Sequence, residues 1–224
     1  MGDVVAVTGR KQRTEGVTVY GEAPLPTDRG PFRAVVFRDA RTGVEHVALI
    51  HGEVAGEGVP VRVHSECLTS EVFGSLKCDC RAQLDRALDL IVERGRGVLV
   101  YLRQEGRGIG LGNKIRAYAL QAQGHDTYEA NRLLGFPDDL RRYDAAADVL
   151  RLLGVRSVEL ITNNPQKLAG LAEAGMPVRA RIALPSPANP HNVEYLRAKR
   201  EKTGHLITTD EEAQANDETQ AKAS

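Results

Sequence analysis

The 224-residue sequence has only three cysteines, no formal net charge, no internal repeat and no apolar run approaching the roughly 20 residues a membrane helix needs. Each shortage narrows the function. Three cysteines suit a disulfide-stapled secreted scaffold poorly. The stretch from Met1 to Tyr20 carries Arg10, Lys11, Arg13 and Glu15 without an apolar core, so it does not read as a secretory signal, and Ala6 stands where a myristoylation signal wants Ser or Thr. A cytoplasmic protein without membrane contact is expected, in a compartment that keeps thiols reduced and open to metal.

The zero charge hides an asymmetry. Thr208 to Ser224 holds Asp210, Glu211, Glu212, Asp217 and Glu218 against Lys222, a net of −4, which leaves +4 on residues 1–207. This acidic tail has almost no apolar residues and is expected to be disordered. The mildly basic remainder suits a small anionic ligand and is too weakly charged to argue for nucleic acid. A flexible segment over 1–15, one catalytic domain over 16–207 and the tail over 208–224 is the organisation expected.

All three cysteines fall within 14 residues, as Cys67, Cys78 and Cys80. A buried thiol behaves as a small hydrophobe, and two of the three could pair as a disulfide, but neither reading explains why the other 210 residues have none. Metal binding does. Closed structural zinc sites use four protein ligands, whereas catalytic ones use three and leave a position for water. The cluster therefore suggests hydrolysis.

Short β-rich runs come first, at 17–20, 34–37, 46–50 and 59–64. Leu84, Ala87, Leu88, Ile91 and Val92 then recur at helical spacing, predicting a helix over 79–94 that begins at the last cysteine. Strands at 98–102 and 157–162 and helices at 112–123, 144–153, 165–174 and 192–203 follow, the fifth-listed run opening on Pro165. The fold class expected is α/β, a single domain with a mixed β-sheet flanked by helices.

After the 98–102 strand comes Arg103-Gln104-Glu105-Gly106-Arg107-Gly108-Ile109-Gly110-Leu111-Gly112-Asn113-Lys114. Glycine at alternate positions ahead of a helix lets backbone N–H groups approach an anion, so a polyphosphate could sit here; a flexible turn is the plain alternative. The spacing fits neither the dinucleotide fingerprint nor a Walker loop. Asp139 and Arg141 precede a helix, where capping by acids is an ordinary role. Thr162-Asn163-Asn164-Pro165 leaves a strand for a helix, where α/β sheets bind ligands.

Together the segments 62–69, 76–80, 103–107, 113–118, 126–131 and 162–165 resemble GTP cyclohydrolase II, over about Tyr20 to Ile207. The resemblance implies zinc on Cys67, Cys78 and Cys80, with GTP opened at its imidazole ring and formate and pyrophosphate released with the help of magnesium. It implies GTP contacts at Arg62, Val63, His64, Ser65, Glu66, Gln83, Glu105, Gly106, Arg107, Thr127, Thr162 and Lys167. Asp139 matches the family's proton acceptor, Arg141 its nucleophile on the α-phosphorus, and Tyr118 a tyrosine that positions the base for the second hydrolysis. Arginine lacks a free lone pair at neutral pH, so an electrostatic clamp is the more economical role for Arg141. A homodimer is also implied. Two readings compete: a zinc deaminase, because His64-Ser65-Glu66 imitates His-x-Glu although Cys78-Asp79-Cys80 is one residue too short, and a non-catalytic nucleotide sensor.

Overall fold

A computed structural model describes residues 13–125, 127–137 and 139–206. Seven strands, β1 (Val17–Thr27), β2 (Gly30–Asp39), β3 (Glu45–His51), β4 (Val59–Ser65), β5 (Gly97–Leu102), β6 (Val158–Ile161) and β7 (Val178–Ile182), form one sheet in the order β1-β2-β3-β5-β4-β6-β7. The first half, β1 to β3 and on to β5, is antiparallel; β5, β4, β6 and β7 run parallel. The helices are α1 (Leu68–Glu71), α2 (Cys80–Glu93), α3 (Leu111–Gln121), α4 (Thr127–Leu133), α5 (Asp144–Leu152), α6 (Pro165–Glu173) and α7 (Val193–Thr203), with a 3₁₀ turn over Glu105–Gly108. The mixed α/β sheet expected from the sequence is the one observed.

Strand alternation divides the core. On β5, Val98, Val100 and Leu102 face one cluster, with Ala146, Val149 and Leu150 of α5 and Leu171 of α6; Leu99 faces the other, with Ala87 and Ile91 of α2. Both faces are covered, which explains the near-continuous apolar run in β5. The same alternation on β4 points Val61 and Val63 toward α5 and leaves Arg62 and His64 on the α2 side.

Several elements differ from the sequence reading. β1 and β2 extend well beyond 17–20 and 34–37, although β1 contains Gly21, Pro24 and Pro26. A sheet-edge strand tolerates proline because its outward N–H groups have no ladder partner to lose, and β1 is an edge. The opposite edge, β7, escaped notice because Val178-Arg179-Ala180-Arg181-Ile182 is half charged and mostly exposed. The short helices α1 and α4 were also unforeseen. α6 starts as expected, with Asn164 Oδ1 accepting from the Gln166 N–H at 2.9 Å and Pro165 in the first turn. The acidic tail and most of the 1–15 segment lie outside the described residues.

Candidate active site

The chain leaves β4, passes through α2 to β5 on one side of β4, and later returns to β6 on its other side. Strand order therefore reverses beside β4, the position where open α/β sheets form a crevice beyond their carboxyl ends. A cavity of about 1030 Å³ opens there. It is lined from the ends of β4 (Ser65 to Cys67), β5 (Gln104 to Arg107) and β6 (Thr162 to Asn164), together with α2, α3, the Asp139–Arg141 segment and α7.

All three cysteines reach this cavity, and none is disulfide-bonded. Cys67 stands at the N-terminus of α1, Cys80 opens α2, and Cys78 lies in the loop between them. Their ligand atoms lie within 4.8 Å of one another, with the Cys67 and Cys78 sulfurs 3.7 Å apart. Tetrahedral zinc at Zn–S of about 2.3 Å would space its sulfurs by about 3.8 Å. The donor set thus fits a soft divalent metal. Hydrogen bonds from Cys78 and Cys80 hold the Cys67 thiol far below its ordinary value, and the Lys114 ammonium, 3.1 Å from Cys67 Sγ, adds to that; the same bonds push Cys78 and Cys80 up. Among the described residues no His, Asp or Glu completes a fourth position.

The glycine loop works differently from a backbone cradle. Gly106, Gly108 and Gly110 adopt positive φ, as does Arg107 at 59°, alone among the described non-glycine residues. A Cβ on Gly108 would lie 2.9 Å from Leu140 Cβ, so this glycine lets the Asp139–Arg141 segment approach. Three of the loop's own N–H groups are spent internally: Gly106 on the Glu105 carboxylate (2.8 Å), Ile109 on Gly106 O and Gly110 on Glu105 O. Glu105 also accepts from Lys114 Nζ (2.7 Å) and from the Leu68 N–H (2.7 Å), tying the loop to the start of α1. The Arg107 side chain, which lines the cavity, gives the loop a positive charge to offer an anion.

Further cations converge there. Arg141 chelates Asp139, Nε lying 2.9 and 3.0 Å from its two oxygens and Nη2 also bonding Oδ2. Burial opposes the charge on Arg141, but its hydrogen bonds and ion pair with Asp139 outweigh that and hold its pKa above the ordinary value. Asp139, likewise partly buried, is held below the usual carboxylate range by Arg141. Lys167 is buried with Nζ on the Val63 carbonyl at 2.8 Å; burial, then the charges of Arg62 and Arg141, pushes its pKa well down. Burial lowers the Arg62 pKa to about 10 even though the charge of Asp79 opposes it, and its Nε finds no hydrogen-bond partner among the described residues. A bound anion would relieve this concentration of positive charge. His64 is neutral, its pKa lowered by burial to about 4 although Nε2 bonds Glu71 at 2.6 Å.

Of the residues singled out from sequence, Arg62, His64, Ser65, Glu66, Gln83, Glu105, Gly106, Arg107, Tyr118, Asp139, Arg141, Thr162, Lys167 and the cysteines share this cavity. Val63 does not line it; its side chain packs in the core and only its carbonyl meets Lys167. The Thr127 side chain lies outside the described residues. Tyr118 is half-buried by α3, its ring 5.2 Å from Lys77 Nζ and 5.9 Å from Lys114 Nζ. Sequence reasoning missed the contribution of α7, which brings Tyr195 and Lys199 to the cavity. Asn164, part of the strand-to-helix motif singled out from the sequence, also lines the cavity, its buried Nδ2 without a hydrogen-bond partner among the described residues.

Residues 18–183 match the family model for GTP cyclohydrolase II. The riboflavin biosynthesis protein RibBA of Salinispora tropica is 52% identical over 200 residues, covering 88% of this chain and 50% of that protein. RibBA of Bacillus subtilis is 55% identical over 185 residues, 82% of this chain and 46% of that protein. The chain spans about half the length of these curated relatives. A two-domain 3,4-dihydroxy-2-butanone 4-phosphate synthase from A. baumannii aligns with 77% of this chain and 42% of its own at a TM-score of 0.44 and 20% identity, too slight a likeness to bear on the site. With a family match over most of the chain and half of its residues shared with these relatives, the chain belongs to the GTP cyclohydrolase II family.

Proposed function

We propose that this chain hydrolyses GTP to 2,5-diamino-6-(5-phosphoribosylamino)pyrimidin-4(3H)-one, formate and pyrophosphate, and that the reaction feeds riboflavin synthesis or a related specialised pathway. The observation that carries this reading is one cavity in which a three-thiol metal site adjoins a group of buried cations. Phosphates call for the cations, and hydrolysis of the base calls for the metal site.

Cys67, Cys78 and Cys80 would hold zinc, which when bound supplies the Lewis acidity that makes water a nucleophile near neutral pH. Arg107, Arg141 and Lys167 bind the phosphates, and Asp139 keeps Arg141 aimed and charged while pyrophosphate departs. No cluster of three carboxylate or His ligands is present among the described residues, so magnesium enters with the polyphosphate. Arg62 and Gln83, joined at 2.8 Å, contact the nucleotide from the α2 side, with His64 to Glu66, Glu105, Gly106, Thr127 and Thr162 completing the GTP contacts.

Incubation with GTP, zinc and magnesium, resolved by mass spectrometry, tests the reading. Formate, pyrophosphate and the diaminopyrimidine are expected. Ammonia in their place would indicate a deaminase, and unchanged GTP a nucleotide sensor.

Tyr118 should control the last hydrolysis. Its phenol, protonated because burial raises its pKa, can donate a hydrogen bond to the opened formamide. Tyr118→Phe is expected to open the ring and accumulate a formylated pyrimidine with little formate. Formate yield equal to wild type would remove this role.

The chain should also act as a homodimer. Val72, Phe73 and Leu76 expose apolar surface beside α1 that a second copy would cover. Light scattering should give twice the chain mass; a monomer at working concentration would count against it.

A further inference from the structure

Helix α7 begins ten residues after the family match ends at 183, and its sequence is that of a solvated helix. Lys199 departs from that pattern. Its side chain is 10% exposed, and Nζ donates to Asp79 Oδ1 at 2.7 Å, the Asp79 side chain being fully buried. Helix α7 is held over the cavity by further contacts: buried Leu196 and the Leu206 N–H on Asn163 O at 2.9 Å just beyond its end, while within the helix the Lys199 ammonium lies 4.3 Å from the Tyr195 ring centroid.

A line of hydrogen bonds starts at this ion pair. Asp79 Oδ2 accepts from Gln83 Nε2 at 2.6 Å, Gln83 Oε1 accepts from Arg62 Nη2 at 2.8 Å, and Arg62 Nη1 donates to Ile161 O at 3.0 Å. The direction of each bond is forced. A carboxylate can only accept, so Asp79 turns the amide nitrogen of Gln83 toward itself and leaves the amide oxygen for Arg62, which can only donate. With both Nη groups engaged, the Arg62 guanidinium is fixed in place, its buried Nε without a hydrogen-bond partner among the described residues. Were Asp79 to swing away, Gln83 could turn over and present its NH₂ to the guanidinium. Lys199 prevents this by fixing the Asp79 carboxylate in place.

We propose that Lys199 is a positioning residue for the nucleotide: docking of α7 sets the Gln83 amide, and through it Arg62, in the orientation that receives GTP. The inference rests on the GTP reading above and deepens it, since it makes a helix beyond the matched region part of the substrate site.

Lys199→Met removes the charge with little change of bulk. It should weaken GTP binding, measured by calorimetry, on the order of 10- to 100-fold, as loss of supporting partners does elsewhere, and raise KM with kcat within about threefold of wild type, the pattern for lost binding that ground and transition states share. Zinc content should not change. Lys199→Arg, which keeps the charge, should recover most of the affinity. Where Lys199→Met does not fold, Lys199→Gln keeps a donor and should show the same loss in smaller measure. GTP affinity unchanged in a folded Met or Gln variant would overturn the proposal. So would a loss that follows zinc content or melting temperature and is not mended by Lys199→Arg, because that marks a merely structural residue. A readout without nucleotide separates this inference from the functional reading: the Arg62 Nε–H signal in nitrogen-15 NMR should exchange with solvent at least about tenfold faster in Lys199→Met. Unchanged exchange refutes the positioning role even if the wild-type protein fails to bind GTP, and that failure on its own refutes only the GTP reading.

Discussion

Cys80→Ser is expected to lose zinc and ring opening together while GTP binding survives. Cys80 is half-buried at the first turn of α2, its sulfur within 4.8 Å of the other two, and serine offers a hard hydroxyl in place of a soft thiolate. Thiolate zinc sites bind with about 10–16 kcal/mol, so an equal share per ligand is about 3–5 kcal/mol, or on the order of 10²- to 10⁴-fold in affinity. Cys67→Ser should cost as much and should also leave Lys114 without its sulfur partner, though not without Glu105. Cys78→Ser completes the series. Metal analysis decides the point: full zinc occupancy in any of the three variants removes that cysteine from the ligand set, and formate release by a zinc-free variant would overturn the metal's part in the reaction. Pyrophosphate release should persist in all three if the phosphoryl step comes first, because no cation of the phosphate group depends on a cysteine for its position.

The convergence of the three cysteines was legible because groups able to share one ion must be chemically matched and held by short chain segments, so their spacing survives in the sequence. The loop ends of β4, β5 and β6 were legible for a related reason: apolar runs in parallel strands stop where the sheet meets its crevice, and polar residues begin there. The glycine run told less than it seemed to. Its spacing suggested N–H groups turned to an anion, but Glu105 occupies one of them and the turn's own carbonyls occupy two more. An acid at the start of a glycine loop competes for the same donors as a phosphate, and this competition was written in the sequence without being weighed. The Lys199 to Asp79 pair could not have been found by pattern. Its members are 120 residues apart, and a lysine on a polar helix and an aspartate before another helix each have an ordinary local explanation.

Arg141→Ala should nearly abolish pyrophosphate release while leaving zinc in place. An arginine that stabilises transferring phosphoryl charge is worth about 10³–10⁵ in rate, and Arg141 is held for such a role by a chelating carboxylate on a segment packed against Gly108. The variant should also be less stable, since Asp139 would keep a partly buried charge without its partner. A nucleophile and a clamp predict different things for Arg141→Lys. Nucleophilic attack by the guanidinium needs a nitrogen freed of its proton, yet Asp139 holds the group charged, and both nitrogens that face Asp139 are already committed. A clamp needs positive charge at the right place, which lysine supplies without the fork. The lysine variant should therefore retain on the order of a tenth to a hundredth of wild-type pyrophosphate release, above the alanine variant by at least tenfold if the lost fork costs about 1.4–2.8 kcal/mol of the clamp. Equal inactivity of the two, together with an Arg141 peptide carrying the guanosine 5′-phosphoryl group or its ring-opened form, recovered from acid-free quench of the wild-type reaction, would establish the covalent route instead. Formate release is the control: if ring opening waits on the phosphoryl step, both variants lose formate in proportion to pyrophosphate, and if it does not, Arg141→Ala should yield ring-opened nucleoside triphosphate.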